Sequence, residues 1–252
     1  MSLPEEFLRT PIAHRALHGD GRPENSLAAV RAAVAAGYGI EVDIQPSADG
    51  VPMVFHDYVL DRLTDETGPV AERSAAELKA IPLKGSDEGI PTLRDVLAAV
   101  DGRVPLLVEI KDQTRVLGTE IGPLQAWVAD ALESYGGPVA VMSFNPHAVA
   151  EMAALAPTVP RGLTTSGWNH GAALNLPADR RADLAAIADF DRVDASFISH
   201  DWHDLGRDRV TQLKAQGVPV LCWTIHSQAE ESQAREIADN VTFEGYVAAP
   251  PA

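Results

Sequence analysis

Short apolar runs and longer stretches of helical spacing take turns along this chain. Apolar residues gather around Ile12, Val42, Val108, Val141, Leu163, Phe197, Leu221 and Phe243. Each run is brief and bounded by turn-forming residues, which predicts a strand. The intervals between them predict helices. Ser26, with Asn25 as the alternative, caps LAAVRAAVAA, which Gly37 stops. Thr92 caps LRDVLAAV, IGPLQAWVADALESYG forms the next helix, and Asn145 or Pro146 opens HAVAEMAALA. Further helices run from Pro177 to Asp189, from Asp208 to Gln216 before Gly217, and from a Ser227 cap to about Asp239. The Gly/Asn-rich stretch after Thr165 has no clear period. From Pro46 to about Ile90 the pattern is irregular: a hairpin-like strand, then DRLTDETG, then a short helix SAAELKAI. Strands alternating with helices imply a parallel sheet. Eight repeats in this length fit an α/β TIM (β/α)8 barrel. The irregular stretch at about 46–90 reads as a small insertion after strand two, within a single domain spanning 1–252.

One strand carries unusual cargo. In GIEVDIQP, Ile40, Val42 and Ile44 face one way, and Glu41 and Asp43 the other. Like charges on one strand face repel unless something neutralises them, and a hard dication is the simplest neutraliser. After the Asp49-Gly50 turn, the run Met53-Val54-Phe55 delivers His56 and Asp57. Two acids and a histidine near strand ends suit a metal centre with a general acid or base.

Composition narrows the partners. The 252 residues are 46% hydrophobic and 22% charged, enough to build a substantial core. A net charge of -16 argues against nucleic acid and against anionic membrane surfaces. A small phosphate-bearing substrate remains open, because a metal and a few cations can dominate one site. Cys222 is the single cysteine and sits in an apolar run, so no internal disulfide forms. No run reaches membrane-spanning length, and the N-terminus is too polar and acidic for a signal peptide, which predicts a cytoplasmic protein. Neither a Gly-rich dinucleotide fingerprint nor a Walker sequence is present. The oligomeric state is not legible, and the AAPPA tail is expected to fray.

In a barrel, chemistry belongs at the C-terminal ends of the strands. His14 and Arg15 end the first strand, Glu41 and Asp43 lie on the second, and Glu109 and Lys111 end the third. Trp223 and Thr224 end the seventh, and Glu244 lies near the end of the eighth. Singly, each has a plain reading: a structural histidine, a surface arginine, a Glu–Lys ion pair, a core tryptophan. Glu24 and Asn25 read as loop-bracing or capping residues, and Asp57 as a turn residue. His18, His147, His170, His200, His203 and His226 read as surface or loop residues. Three acids, two histidines and two cations at one mouth are harder to explain as packing.

HRALHGDGRPENS, EVDIQPSADGVPMVFHDYVLDRLT, VEIK, SFNP and CWT occur in that order. In this the chain resembles the glycerophosphodiester phosphodiesterase family, from about Ile12 to at least Thr224. The resemblance implies a TIM barrel with an insertion after strand two. It implies that Glu41, Asp43 and Glu109 hold one divalent cation, Mg²⁺ or Ca²⁺, and that His14 and His56 form the general acid/base pair. It further implies that Arg15 and Lys111 contact the phosphate oxygens and that Trp223 is an apolar wall for the substrate. The activity implied is metal-dependent hydrolysis of glycerophosphodiesters to sn-glycerol 3-phosphate and an alcohol. Alternatives are a related barrel phosphodiesterase acting on lysophospholipids or other phosphodiesters, a non-catalytic binder of phosphorylated metabolites, and a metal-dependent barrel enzyme on sugars or enolates. Aromatic residues are only 6%, which favours a small soluble substrate. Two departures stand out. Many members read HRG where this chain has His14-Arg15-Ala16, and the last strand reads VTFEGY where members carry a GIITD-like run.

Overall fold

The computed structural model describes residues 2–169 and 171–249. His170 and the last three residues of the AAPPA tail lie outside them. The strands are β1 (Ile12–Ala13), β2 (Gly39–Pro46), β3 (Pro52–Val54), β4 (Leu106–Ile110), β5 (Val139–Ser143), β6 (Arg161–Thr165), β7 (Phe197–Asp201), β8 (Val220–Ile225) and β9 (Asn240–Phe243). The helices are α1 (Glu6–Arg9), α2 (Leu27–Ala36), α3 (Ala75–Ala80), α4 (Leu93–Val100), α5 (Leu124–Leu132), α6 (Pro146–Leu155), α7 (Ala178–Ala185), α8 (Asp208–Ala215) and α9 (Gln228–Ala234). The sheet order is β1-β9-β8-β7-β6-β5-β4-β2-β3, and β1 also pairs with β2. Eight strands thus close a parallel (β/α)8 barrel, while β3 hangs antiparallel on the far end of β2, with Ile44 opposite Val54.

Local chemistry explains the boundaries. Ser26 Oγ accepts from the Ala29 N–H to open α2, and Gly37 closes it with φ 75°. Thr92 and Asp95 form a reciprocal capping box at the start of α4. Asn145 caps α6 by accepting from the His147 N–H, and Pro146 occupies the first helical position. Expected helix spans shift. The α5 helix starts only after Pro123, α7 ends at Ala185, four residues before Asp189, and α9 ends at Ala234 in a turn that lets the Asp239 N–H reach Val220 O.

The chain divides into two compact units. One comprises Ile12–Lys111 and Gly122–Val139. Here β2 is buried along nearly its whole length, so Glu41 and Asp43 are interior groups and not a solvated face. The insertion has its own core of Met53, Phe55, Leu60, Val70, Ala75, Leu78, Leu83 and Ile90.

The other unit comprises Met1–Pro11, Asp112–Ile121 and Ala140–Ala252. Gly162 on β6 is registered with Phe197 on β7, and a Cβ there would meet the Phe197 ring at 2.4 Å. His200, read as a surface or loop residue, is instead fully buried on β7, with Nδ1 2.7 Å from Thr165 Oγ1. The inaccessible Asn240 ties down the N-terminal segment: its Nδ2 donates to Phe7 O at 2.8 Å and to Thr10 O at 2.6 Å. Losing both donations strands two acceptors away from water. Asn240→Ala is therefore expected to destabilise the protein by about 2–3 kcal/mol, and Asn240→Asp by at least as much. An unchanged urea midpoint in both variants would contradict this role.

Candidate active site

The site grows from β2. Glu41 and Asp43 project from the same strand face, and Asp43 is in register with Glu109 on β4. All three are buried, at 2%, 1% and 6% exposure, and each offers a carboxylate oxygen within 4.8 Å of the others'. Glu41 Oε1 is shut away from water and has no hydrogen-bond partner, and an isolated buried carboxylate oxygen is costly. Hard oxygen donors, mutual repulsion and one orphaned oxygen are what a dication would answer, so the donor set fits Mg²⁺ or Ca²⁺ chemistry. This cluster can hold a metal ion.

Cations crowd the same point. Lys111 Nζ contacts Asp43 Oδ1 at 2.6 Å and also bonds Glu109 Oε1. Arg15 Nε lies 3.6 Å from Asp43 Oδ2, and the Arg15 backbone N–H donates to Glu41 Oε2 at 2.8 Å. That second contact depends on an unusual turn after β1. Arg15 and Ala16 both adopt left-handed conformations, with φ 51° and 64°, which curl their N–H groups towards Glu41. Ala16 holds a conformation that glycine adopts without strain, at the position where the HRG pattern has its glycine.

The charge states follow from this packing. Burial, with Asp43 and Glu109 alongside, pushes the Glu41 carboxyl well above the usual carboxylate range. Burial would raise Asp43 too, but Lys111, His56, Arg15 and His14 outweigh it and hold that carboxyl below its usual range. Lys111 is pushed above the ordinary ammonium value because Asp43 and Glu109 overcome its desolvation.

His56 follows β3, and Gln45 Nε2 fixes its backbone by donating to His56 O at 3.1 Å. Its Nδ1 lies 2.6 Å from Asp57 Oδ1. Asp57 stays ionised, since Arg62 and His56 outweigh its partial burial and lower its pKa. An ionised carboxylate can only accept, so the proton sits on Nδ1 and Nε2 is left with its lone pair. Burial, reinforced by Lys111, lowers the His56 pKa.

Seven of the eight residues singled out in the sequence thus meet around Asp43: His14, Arg15, Glu41, Asp43, His56, Glu109 and Lys111. Trp223 lies in the other unit, within β8, which runs two residues beyond it. Its Nε1 donates to Ser199 O at 2.9 Å, and its ring stands edge-on to Phe144.

Two further participants read from the sequence only as loop-bracing or capping residues. Asn25, left-handed at φ 59°, donates from Nδ2 to Asp43 Oδ2 at 2.9 Å and accepts the Asp43 N–H at 3.2 Å. It fixes the carboxylate from both ends. Glu24 receives Arg15 Nη1 at 2.9 Å. The PEN motif was the available pointer, since an Asn and a Glu beside a helix cap exceed what capping by Ser26 requires.

Solved structures with this fold place the chain in a class. It aligns with an Oleispira antarctica phosphodiesterase, solved in complex with the product sn-glycerol-3-phosphate, at 27% identity and a TM-score of 0.75, covering 94% of this chain and 93% of that one. The class is the barrel phosphodiesterases, and the protein is an enzyme of it. Within that class, the model of the glycerophosphoryl diester phosphodiesterase family matches residues 14–241, and the chain belongs to that family. YhdW of Bacillus subtilis is 27% identical over 242 residues, which cover 92% of this chain and 93% of YhdW. Human glycerophosphodiester phosphodiesterase 1 is 31% identical over 168 residues, covering 63% of this chain and about half (49%) of that protein.

Proposed function

We propose that the protein hydrolyses glycerophosphodiesters to sn-glycerol 3-phosphate and an alcohol, with one divalent cation, Mg²⁺ or Ca²⁺, held by Glu41, Asp43 and Glu109. The observation that carries this reading is the meeting of three buried carboxylates at a point where Glu41 Oε1 lacks any partner. Family membership and the product named for the Oleispira antarctica structure support the substrate class. A bound dication supplies Lewis-acid stabilisation of the charge that gathers on the phosphate oxygens during attack.

The side chains supply the rest. Three carboxylates against Lys111 and Arg15 leave the centre with one excess negative charge. Adding a dication turns it net positive by one, which suits a phosphodiester monoanion. Lys111 and Arg15 then serve as the phosphate contacts. His14 and His56 carry protons, one accepting from the nucleophile and one donating to the departing alkoxide. Trp223 serves as an apolar wall, a role that rests on the family resemblance.

The test is a turnover panel of glycerophosphodiesters with choline, ethanolamine, glycerol and inositol head groups, each with Mg²⁺ and with Ca²⁺. Release of sn-glycerol 3-phosphate from at least one is the expected result. Failure with all four and both metals would overturn the reading.

A further inference from the structure

We propose that Arg62, on the insertion, is a positioning residue that sets His56 and Arg15 at the same time, an inference that rests on the proposed reaction. One guanidinium binds two carboxylates bidentately. Nε and Nη2 of Arg62 donate to Asp57 Oδ2 at 2.6 Å and Oδ1 at 3.0 Å. Nη1 and Nη2 donate to Glu24 Oε2 at 2.9 Å and Oε1 at 2.7 Å. Each carboxylate passes the constraint inward. Asp57 Oδ1 holds His56 Nδ1, and Glu24 Oε1 holds Arg15 Nη1. A planar fork with this many fixed donors does what a lysine's point charge cannot.

The insertion is built to present this side chain. Lys84 Nζ donates to the carbonyls of Asp61 and Arg62 at 3.0 and 3.1 Å. Leu60, two residues earlier, is anchored in the insertion's own core. Arg62 is half exposed while Glu24 and Asp57 are mostly covered, so the ions that depend on it are the ones that cannot turn to water instead. A lone exposed ion pair would contribute little, and the geometry points to alignment and not to stability as the consequence.

Nitrogen-15 NMR of the His56 ring, read with kcat and KM on glycerophosphocholine, tests this in Arg62→Gln and Arg62→Lys. Wild type is expected to show the Nδ1–H tautomer. Arg62→Gln is expected to show mixed tautomers, a kcat lower by roughly 10–100-fold, and a KM raised several-fold through Arg15. Arg62→Lys recovers only part of that loss. The double variant Arg62→Gln/Asp57→Asn shows no lower kcat than Asp57→Asn alone, because the two act in series on His56, while the rise in KM through Glu24 and Arg15 persists. A structural ion pair would instead lower Tm and leave tautomer and kcat untouched, and that outcome overturns the proposal. Should wild type turn over no glycerophosphodiester while the His56 tautomer still follows Arg62, the proposed reaction falls and the positioning role stands. Normal turnover with an unchanged His56 ring in Arg62→Gln has the opposite meaning.

Discussion

Exhaustive chelation is expected to lower turnover by about 10³-fold or more, and Mg²⁺ or Ca²⁺ to restore it, because a metal acting as Lewis acid contributes several kcal/mol to the barrier. Glu41→Gln is the matching variant. It keeps the shape of the side chain and an oxygen able to accept from the Arg15 N–H, but it removes the charge. Metal affinity is expected to fall by about 10–100-fold or more, measured by calorimetric titration, with activity falling alongside. The same substitution has the opposite effect on the metal-free fold. Burial beside Asp43 and Glu109 raises the Glu41 pKa in the folded state. An acid raised in this way gives its full stability below the unfolded carboxylate value, and that stability is lost as pH climbs towards the folded value. At neutral pH, in chelator, Glu41→Gln is therefore expected to be more stable than wild type, by about 1 kcal/mol or roughly 2–4 °C in Tm. A variant that binds metal normally, or that melts well below wild type in chelator, would remove Glu41 from the metal centre.

That opposition between fold and function is why so much of the centre was legible in the chain. Glu41 and Asp43 break the expectation for a buried strand, and only a ligand or a partner explains such a break. Glu109 and Lys111 stood out for the same reason, as charges at the end of an apolar run. The barrel itself was readable because most strands and helices are specified by their own local period, and several helices by their own caps. Contacts across long stretches of chain were not readable. Asn25 meets Asp43 across 18 residues, and Arg62 reaches Glu24 across 38. Nothing local in DRLTDETG distinguishes an arginine that spans two loops from one that faces water. His200 failed for a related reason. Its partner, Thr165, lies 35 residues away on the neighbouring strand, and a single histidine in FISHD has no period to betray its burial. The short α9 reflects competition: after Ala234 the backbone leaves the helix to place Asn240 on β9 under the N-terminal segment.

Truncating either histidine is expected to lower kcat by about 10²–10⁴-fold while leaving metal affinity near that of wild type, the range for removing a general acid or base. The two variants should differ in their pH profiles. Hydrogen bonding to the ionised Asp57 keeps the His56 proton on Nδ1, so Nε2 has its lone pair at neutral pH. Burial, with Lys111 close by, holds the His56 pKa below its ordinary value of 6.5. A dication held by Glu41, Asp43 and Glu109 would add positive charge and shift it further in the same direction. On this direction we propose His56 as the base and His14 as the acid. The acidic limb of kcat/KM in wild type is expected below pH 6.5 and is expected to be absent from His56→Ala. An acidic limb that survives in His56→Ala removes His56 from the role of base. Equal rates in wild type and both variants would remove the imidazoles from the chemistry.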